Sequence, residues 1–564
     1  EGPINTLATP KLGDIKIVNT KYNGDFNGKT ISVDVWAKSD VAAQIGIQLK
    51  VDKTAGGSDF RGIFPTITTS YVKYTLTAKI TEATSGITLR LLAGKTVANY
   101  YFDDIKGLVD DKITWTGNTG NNWSVPTNWD PEVVPLSTTD VVIPAGLSNY
   151  PTATNAITVN SINIESGATL KATNTFTGTA TYNRTLANGS QWYLISSPVI
   201  GETFNAAWAG TNSIPASTLD TGNLGINWYN NTSLDTDTDG ILTDDSATGH
   251  WRYLESNDNN SSTFKKGQGY GIIRSNSGDI TFEGTGIYTS TETIGITQGA
   301  SNNYNLIGNP FTAFLNLGDF LADNPKTTVL TESEAYFWNG SFYETKTSLL
   351  NGNYEIAPGQ GFFVETAANT NVTFDVNDIT HQGTDTFLKS SRSKIKLFVS
   401  DGVNNRFAHI YFINGTTTGL DSGYDGKLFG GVSYNFALYT HLLDNDEGNK
   451  YQIQCLPDSN YENMVIPVGV IAAANKEITF TTETQNLPDG INVYIEDREK
   501  NTFTQLNKTN SNYTIKINEK LNGIGRFYLH TKNNILSTSD IALHNLSVYK
   551  LDESHLRVVG LPQG

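Results

Sequence analysis

A run of aspartates at alternating positions is the part of this chain whose residue types and spacing most clearly predict a chemical role. Asp235, Asp237 and Asp239 lead to a glycine at the sixth position of the run and to Ile241 at the seventh. Alternate carboxylates around such a glycine can surround a hard cation with oxygen atoms, including the backbone carbonyl of Ile241. The pattern therefore predicts a calcium site.

The far end of this acidic run departs from the EF-hand pattern, which supplies a bidentate glutamate at the twelfth position. That position is Ser246 here, and Asp244 and Asp245 offer substitutes with poorer geometry. We expect weak binding of the kind that extracellular calcium loops show. The alternative is a solvated acidic turn that holds no metal.

An aromatic platform for sugars is the second candidate site. Residues 11–109 alternate between apolar and polar side chains, as the strands of a β-sandwich do. Trp36 has the parity opposite to Val33 and Val35, so it should face away from the core. Tyr100 and Tyr101 could lie nearby on the closing strand, although one of them must point inward. The alternative is that loops of the other sheet cover Trp36, since exposed large aromatics are uncommon without a cause.

Sequence motifs of enzymes are absent, so we expect no catalytic role for this chain. It contains no His-Glu-x-x-His and no Gly-x-Ser-x-Gly sequence. Cys455 lies in a strand-like run, where a small buried thiol is the expected role rather than a nucleophile. Pairs of acidic residues could serve a glycosidase only at a defined separation, which a sequence does not give.

The composition limits the classes of partner. The net charge of −17 argues against nucleic acid, whose binding requires clustered Lys and Arg, and against anionic membranes. A single cysteine excludes an intrachain disulfide. No apolar run reaches the roughly 18 to 20 residues of a membrane span, so none is predicted. No signal peptide precedes Glu1, and we expect that one has been removed or that the sequence begins inside a longer precursor.

The fold class that these patterns predict is all-β: several consecutive β-sandwich or jelly-roll-like domains, a short β-solenoid-like segment and very little helix. A degenerate repeat is the clearest internal signal. Four segments that begin at Trp192, Ile226, Lys266 and Ile280 match, in order, segments that begin at Tyr304, Ala335, Pro358 and Val372. Two copies are too few for a solenoid, so we expect two similar sandwiches packed side by side. The glycines of Gly267-Gln268-Gly269 and Gly359-Gln360-Gly361 should mark hairpin turns with unusual dihedrals or close backbone approach.

The runs Phe26–Val33, Trp36–Ser39, Tyr71–Tyr74 and Tyr101–Ile105 resemble later strands of a carbohydrate-binding jelly roll. This resemblance implies glycan binding, and it implies opening strands that are not found before Lys11. The segment that contains Trp115, Trp123 and Trp129 resembles a Trp-rich motif of Bacteroidota surface proteins. In those proteins the motif leads into β-solenoid-like rungs. Gly419–Gly426, Val465–Gly469 and Gly525–His530 resemble the sandwich that precedes a sorting domain in such proteins.

The last residues, His544–Lys550 and Leu556–Gly564, resemble the opening of the type A C-terminal sorting domain of type IX secretion cargo, with Leu556, Arg557, Val558 and Gly560 as the sorting signal. Two strands alone are marginal in water, so we expect their partners beyond Gly564. The resemblance implies export across the outer membrane, with the secretion translocon and its outer-membrane shuttle protein as partners.

The domains predicted from these patterns are a partial jelly roll (1–110), a Trp-rich solenoid-like segment (111–190), repeat unit 1 (191–300), repeat unit 2 (301–390), a sandwich (391–530) and the start of the sorting domain (541–564). We predict a secreted cell-surface binding or adhesion protein that binds a glycan or another surface ligand. The alternatives are the non-catalytic part of a secreted polysaccharide-degrading enzyme, or a structural spacer.

Isothermal titration with calcium tests the acidic loop. We expect weak, saturable heat from the wild-type chain and none from an Asp235→Asn, Asp237→Asn double variant, because each substitution removes the negative charge of one carboxylate ligand. Absence of heat with the wild type would rule out the calcium site.

Overall fold

The computed structural model describes residues 12, 15–27, 29–110, 112–130, 132–137, 139–218, 222–232, 250–258, 261–381, 392–459, 461–532, 547–550 and 556–559. The chain forms two compact units, each described here by itself. Unit 1 comprises Glu1–Thr185 with Asp279–Thr289, and unit 2 comprises Leu186–Gly278 with Ser290–Gly564. The domain boundaries given above stay predictions, because each unit groups several of them.

The first part of unit 1 is a sandwich of antiparallel strands. Its strands are β1 Ile15–Val18, β2 Tyr22–Asn23, β3 Thr30–Ser39, β4 Ala43–Gln44, β5 Gly46–Lys53, β6 Ser58–Ile63, β7 Thr66–Ile67, β8 Val72–Lys79, β9 Thr84–Ala93 and β10 Tyr100–Asp110. One sheet has the order β1–β9–β5–β6, with β2 also pairing β9, and the other has the order β10–β3–β8. Alternate residues of β3, among them Val33 and Val35, are buried in a core shared with Ile47, Leu49 and Val51 of β5.

The second part of unit 1 is built from parallel rungs. Its elements are β11 Lys112–Trp115, a 3-10 turn Pro126–Asn128, β12 Trp129–Asp130, β13 Asp140–Ile143, β14 Thr152–Ala153, β15 Ile157–Ile164, β16 Lys171–Ala172 and β17 Phe176–Leu186. Strands β11, β13, β15 and β17 pair in parallel, as the solenoid-like prediction requires. Trp115, Trp123 and Trp129 are buried in edge-to-face contacts of 4.7 to 4.8 Å, so they anchor the core.

The two copies of the repeat follow, in unit 2 apart from the Asp279–Thr289 segment, which belongs to unit 1. The elements that follow β17 are β18 Trp192–Ile195, β19 Val199–Ile200, α1 Ala206–Thr211, β20 Asn223–Tyr229, β21 Trp251–Glu255, β22 Tyr270–Ile273, β23 Gly278–Gly284, β24 Gly286–Ile287, β25 Glu292–Ile296, β26 Tyr304–Gly308, β27 Phe314–Asn316, α2 Leu317–Asp323, β28 Glu334–Trp338, β29 Tyr343–Thr347, β30 Glu355–Ile356, β31 Gly361–Glu365, β32 Thr370–Phe374, a 3-10 turn Val376–Asp378 and β33 Ile379–Thr380.

Each copy forms a four-stranded sheet with the same strand order, β18–β22–β20–β21 in copy 1 and β26–β31–β28–β29 in copy 2. The last of the four matched segments differs between the copies. In copy 2 it is β32, which pairs β25 within unit 2, whereas its counterpart β23 joins the rung sheet of unit 1 beside β17. The repeat therefore holds for the central sheets and ends at this strand.

The Gly-Gln-Gly turns connect the two copies to each other. In copy 1 the Gly267 carbonyl accepts a hydrogen bond from the Gly308 amide at 2.9 Å, and in copy 2 the Gly359 carbonyl accepts one from the Ser196 amide at 2.9 Å. Gly267 and Gly359 have φ angles of +60° and +64°, which side chains rarely adopt. Turns are present at both sites, but the hairpin prediction is wrong, because the strands before and after each turn pair with other strands and not with each other. Their glycines allow each copy to approach the first strand of the other.

The remainder of unit 2 is one large, mostly antiparallel sheet folded around its own core. Its elements are β34 Ser393–Ser400, β35 Asn405–Ile413, β36 Gly426–Lys427, β37 Ala437–Thr440, β38 Tyr451–Pro457, a 3-10 turn Tyr461–Asn463, β39 Met464–Ala472, β40 Glu477–Gln485, β41 Asn492–Asp497, β42 Thr502–Gln505, β43 Tyr513–Lys516 and β44 Leu521–Lys532. Alternate residues such as Ile395, Leu397 and Val399 of β34 point into this core. The last strands, β45 Ser547–Lys550 and β46 Leu556–Val559, pair antiparallel with each other. The all-β prediction is confirmed.

A glycine substitution tests the connection between the copies. A Cβ at Gly359 would lie 2.8 Å from the Ser196 carbonyl oxygen, whereas a Cβ at Gly402, which has φ +85°, meets nothing within 4 Å. Both Gly359→Ala and Gly402→Ala incur the left-handed backbone cost of roughly 1–2 kcal/mol. Only Gly359→Ala also forces the two copies apart, which adds about 1–3 kcal/mol. Calorimetry of the unit 2 transition should show the larger loss for Gly359→Ala; equal losses would contradict the role given to this turn.

Candidate functional site

The outer face of the β10–β3–β8 sheet carries three partly exposed aromatic side chains. Trp36 is 38 % exposed, Tyr71 41 % and Tyr101 44 %. Directly opposite residues of antiparallel strands point to the same face, and Lys38 pairs Tyr101 while Trp36 pairs Asp103 and Lys73. The alternation of β3 that buries Val33 and Val35 therefore places Trp36 on the outer face, as the sequence predicts.

Lys38 lies between two of these rings. Its ammonium nitrogen is 4.6 Å from the ring centroid of Tyr71 and 5.2 Å from that of Tyr101. A cation over the face of an aromatic ring is attracted by the ring quadrupole, by about 0.5–1 kcal/mol at an exposed site. The lysine therefore holds the two tyrosines in place on either side of the central strand, with Trp36 one row along β3.

The charged side chains near Trp36 on this face pair with one another. The Lys73 ammonium donates to Glu132 at 2.8 Å and to Asp34 at 3.4 Å, and the Thr75 hydroxyl donates to Asp34 at 2.6 Å. The hydrogen bond to Glu132 is the main cause that raises the pKa of Lys73 above its usual value. The face therefore combines aromatic area with fixed polar groups and with ionic groups that are already paired.

A β-bulge ends this regular part of the sheet. The pairing of β10 with β3 shifts register between Asp103 and Lys106, and Asp104 has a φ of +41°. Bulges re-aim side chains and bend the strand. The aromatic residues lie on the side of the bulge where Tyr100–Asp103 keep a regular register with β3.

Two of the three aromatic residues named from sequence meet on this face. Trp36 and Tyr101 share it, whereas Tyr100 packs against the core and its hydroxyl donates to the Thr96 carbonyl at 2.6 Å. Tyr71 is the residue that the sequence reasoning did not assign to the site. It lies just before β8, opposite Lys38, and only the pairing of β8 with β3 reveals that position.

The structure gives less information about the other sites that the sequence predicts. Leu556, Arg557 and Val558 lie in β46, and Gly560 lies outside the described residues. The acidic loop, with Asp235, Asp237, Asp239, Ile241, Asp244 and Asp245, lies outside them as well, so calcium binding stays a prediction.

Two observations concern metals and nucleophiles. Among the residues that the structure describes, no three His, Cys, Asp or Glu side chains are grouped as a metal site requires. Cys455 is fully buried, and burial raises the pKa of its thiol far above the ordinary value, which makes it a poor nucleophile.

No helix in the described part of the chain has the length and apolar character to span a membrane.

Comparison with known proteins gives one family and several structures. Residues 331–530 match a family described as a domain of unknown function, DUF8693. No curated protein matches the chain.

Similar solved structures include one described as CBM4 structure and function, at 20 % identity over 18 % of this chain and 67 % of that chain, with a TM-score of 0.16. Another is the CBM22-1 xylan-binding domain of a Paenibacillus barcinonensis protein, at 12 % identity over 19 % of this chain and 89 % of that one, with a TM-score of 0.14. With TM-scores this low, the likeness carries no weight for the function of this chain.

Proposed function

We propose that the outer face of the β10–β3–β8 sheet binds a neutral glycan. The observation that carries this proposal is the shared exposure of Tyr71, Trp36 and Tyr101 on one sheet face. Large aromatic side chains at a protein surface expose apolar area that an unliganded protein gains nothing by keeping in water. A ligand that covers them removes that area from solvent.

A pyranose ring fits the chemistry of this face. The C–H bonds on the flat side of the sugar carry a slight positive charge, and the face of an aromatic ring is negative. The hydroxyl groups at the rim of the sugar are able to hydrogen-bond to the Lys38 ammonium and to the Asp103 carboxylate, which lie in the same two rows of the sheet. Because Lys73 is already paired with Glu132 and Asp34, the face offers little net charge, which favours a neutral sugar over an ionic one.

For the whole chain we propose a secreted, surface-displayed binding protein that the type IX secretion system exports, with the translocon and its shuttle protein as export partners. The similarity of Leu556, Arg557, Val558 and Gly560 to a sorting signal supports this role. An acidic chain with a single cysteine and a glycan-binding face is compatible with adhesion. No catalytic role is proposed, and calcium is proposed only for the acidic loop.

Glycan binding is tested with a glycan array and then by titration of the full chain with the best neutral oligosaccharide. Trp36→Ala and Tyr101→Ala should each weaken binding by about 2 kcal/mol, or roughly 30-fold in Kd, because each removes an aromatic anchor. Phe60→Ala is the matched control, since Phe60 is 48 % exposed on the other sheet of the same sandwich. Equal binding by all three variants, or no binding by the wild type, would contradict the proposal.

Export is tested by surface labelling of the protein in a host with the type IX system. Deletion of residues 556–560 should keep the protein inside the cell, because it removes the proposed signal. Deletion of the equally long polar segment 536–540 is the control and should leave export intact. Unchanged display after the first deletion would contradict the assigned signal.

A further inference from the structure

A cavity of about 550 Å³ lies over the central sheet of copy 1 in unit 2. Its volume is within the range of small-molecule sites. Three tryptophans, Trp192, Trp251 and Trp338, line it together with Asn227, Gly271 and Arg406. It shares no residue with the aromatic face of unit 1, so it is a separate candidate site.

The duplicated copy shows why the cavity exists. In copy 2, Leu306 pairs Phe363, which pairs Tyr336, and these two aromatic side chains are fully buried. Phe429 covers that row, with its ring 4.7 Å from Phe363 and 5.1 Å from Tyr336.

The equivalent row of copy 1 is hollow. Leu194 pairs Gly271, and Gly271 pairs Asn227. The strand order of the two sheets is the same, so the hollow comes from the exchange of an aromatic pair for glycine and asparagine. A Cβ on Gly271 would lie 2.3 Å from the Asn227 side-chain oxygen, which shows that the amide leans over the glycine.

The walls of the cavity are fixed by contacts between the copies. The Trp338 indole nitrogen of copy 2 donates to the Trp192 carbonyl of copy 1 at 2.9 Å. Trp251 meets Phe363 edge to face at 6.0 Å, and Trp192 meets Tyr253 at 6.4 Å. These contacts fix the aromatic walls in the absence of a ligand, so less conformational entropy is lost on binding.

Two buried polar atoms at the cavity, the Asn227 Oδ1 and the Arg406 Nε, have no hydrogen-bond partner among the described residues. The Asn227 side chain is 4 % exposed, and its oxygen has no hydrogen-bond partner among the described residues. A buried acceptor of this kind costs free energy unless a donor reaches it. Arg406 is the only charged residue among the described residues that line the cavity.

Arg406 contacts an aromatic ring and a backbone carbonyl, and the Asp401 carboxylate acts on it only through longer-range electrostatics. Arg406 stacks on Phe342 at 5.1 Å and donates to the Asn405 carbonyl at 2.9 Å. Its Nε atom is buried without a partner, and no carboxylate within 4.0 Å pairs with it in the part of the chain that the structure describes. Burial lowers the pKa of this guanidinium, although an arginine stays charged at neutral pH. In a chain of net charge −17, an arginine that forms no ion pair among the described residues suits an anionic ligand, although Asp401 lowers the local positive potential.

We propose that this cavity binds a sugar residue that carries a carboxylate, a uronic acid within an acidic glycan. The tryptophan walls take the C–H face of the pyranose ring, a ring hydroxyl donates to the Asn227 oxygen, and the carboxylate accepts from Arg406. The site goes beyond the neutral-glycan face of unit 1 and does not depend on it.

The test uses the full chain and defined probes: oligosaccharides of galacturonate, mannuronate, guluronate and glucuronate beside neutral hexose oligosaccharides of equal length. At least one uronate series should bind at least tenfold more tightly than its neutral counterpart. Trp251→Ala should weaken that binding tenfold or more, and Arg406→Met should abolish the preference for the uronate. Trp36→Ala should leave uronate binding unchanged, which separates this site from the face in unit 1.

Matched controls separate binding from folding. Arg90→Met removes another arginine that stacks on a phenylalanine, Phe60 at 4.9 Å, but lies in unit 1 and should not affect uronate binding. The double variant Gly271→Phe, Asn227→Tyr installs the copy 2 pair and should fill the cavity, with uronate binding lost and the thermal midpoint kept or raised. No uronate preference in the wild type, or an unchanged preference in Arg406→Met with its thermal midpoint intact, would overturn the proposal.

Discussion

The reciprocal backbone contact between the two repeat copies is the constraint on which the architecture of unit 2 depends. Each Gly-Gln-Gly turn supplies a carbonyl, Gly267 to the Gly308 amide and Gly359 to the Ser196 amide, so both copies are fixed by the same geometry. A Cβ at Gly359 would lie 2.8 Å from the Ser196 carbonyl oxygen and one at Gly269 would lie 2.7 Å from the Ile307 carbonyl oxygen, so the copies approach more closely than side chains at these positions would allow. The contact places Trp338 of copy 2 beside Trp192 of copy 1, and the walls of the cavity follow from it.

The two copies differ in how their central sheets are packed: aromatic side chains close the sheet of copy 2, whereas a cavity lies over the sheet of copy 1. In copy 2 the rings of Tyr304, Tyr336, Phe363 and Phe429 form a closed cluster. Loss of a buried phenylalanine typically costs about 3–5 kcal/mol, so a sheet that keeps glycine at the equivalent position gives up substantial stability. Neighbouring aromatic contacts across the copies, such as Trp251 with Phe363, support the open sheet from the side. A hollow kept at that cost, with the unpaired side-chain oxygen of Asn227 at its floor, favours a ligand-binding role over a packing defect.

Much of this organisation could be predicted from the sequence, because it depends on local patterns. Alternation along β3 was sufficient to place Trp36 on the outer face, and four matched segments were sufficient to find the repeat. Features that depend on strand pairing were not predictable. Tyr71 joins the aromatic face only through the register of β8 against β3. The pairing of β23 with β17, outside its own copy, was not predictable because the two strands are nearly a hundred positions apart in sequence. The cavity was hidden for the same reason: Gly271 and Asn227 are far apart in sequence and become neighbours only in the sheet.

The two surfaces differ in how their cations are compensated, and this difference decides which sugars each can hold. On the face of unit 1, Lys73 is paired with Glu132 and Asp34, and Lys38 interacts with two aromatic rings, so a ligand carboxylate would meet Asp34 and Asp103 nearby as well. In the cavity of unit 2, Arg406 stacks on Phe342 and forms no ion pair among the described residues, and Asp401 acts on it only through longer-range electrostatics. A neutral sugar would leave that guanidinium desolvated without an anion, whereas a carboxylate compensates for the desolvation with a charge-assisted hydrogen bond. The same chain thus presents an exposed face suited to neutral sugar chains and a concave site suited to an acidic sugar residue.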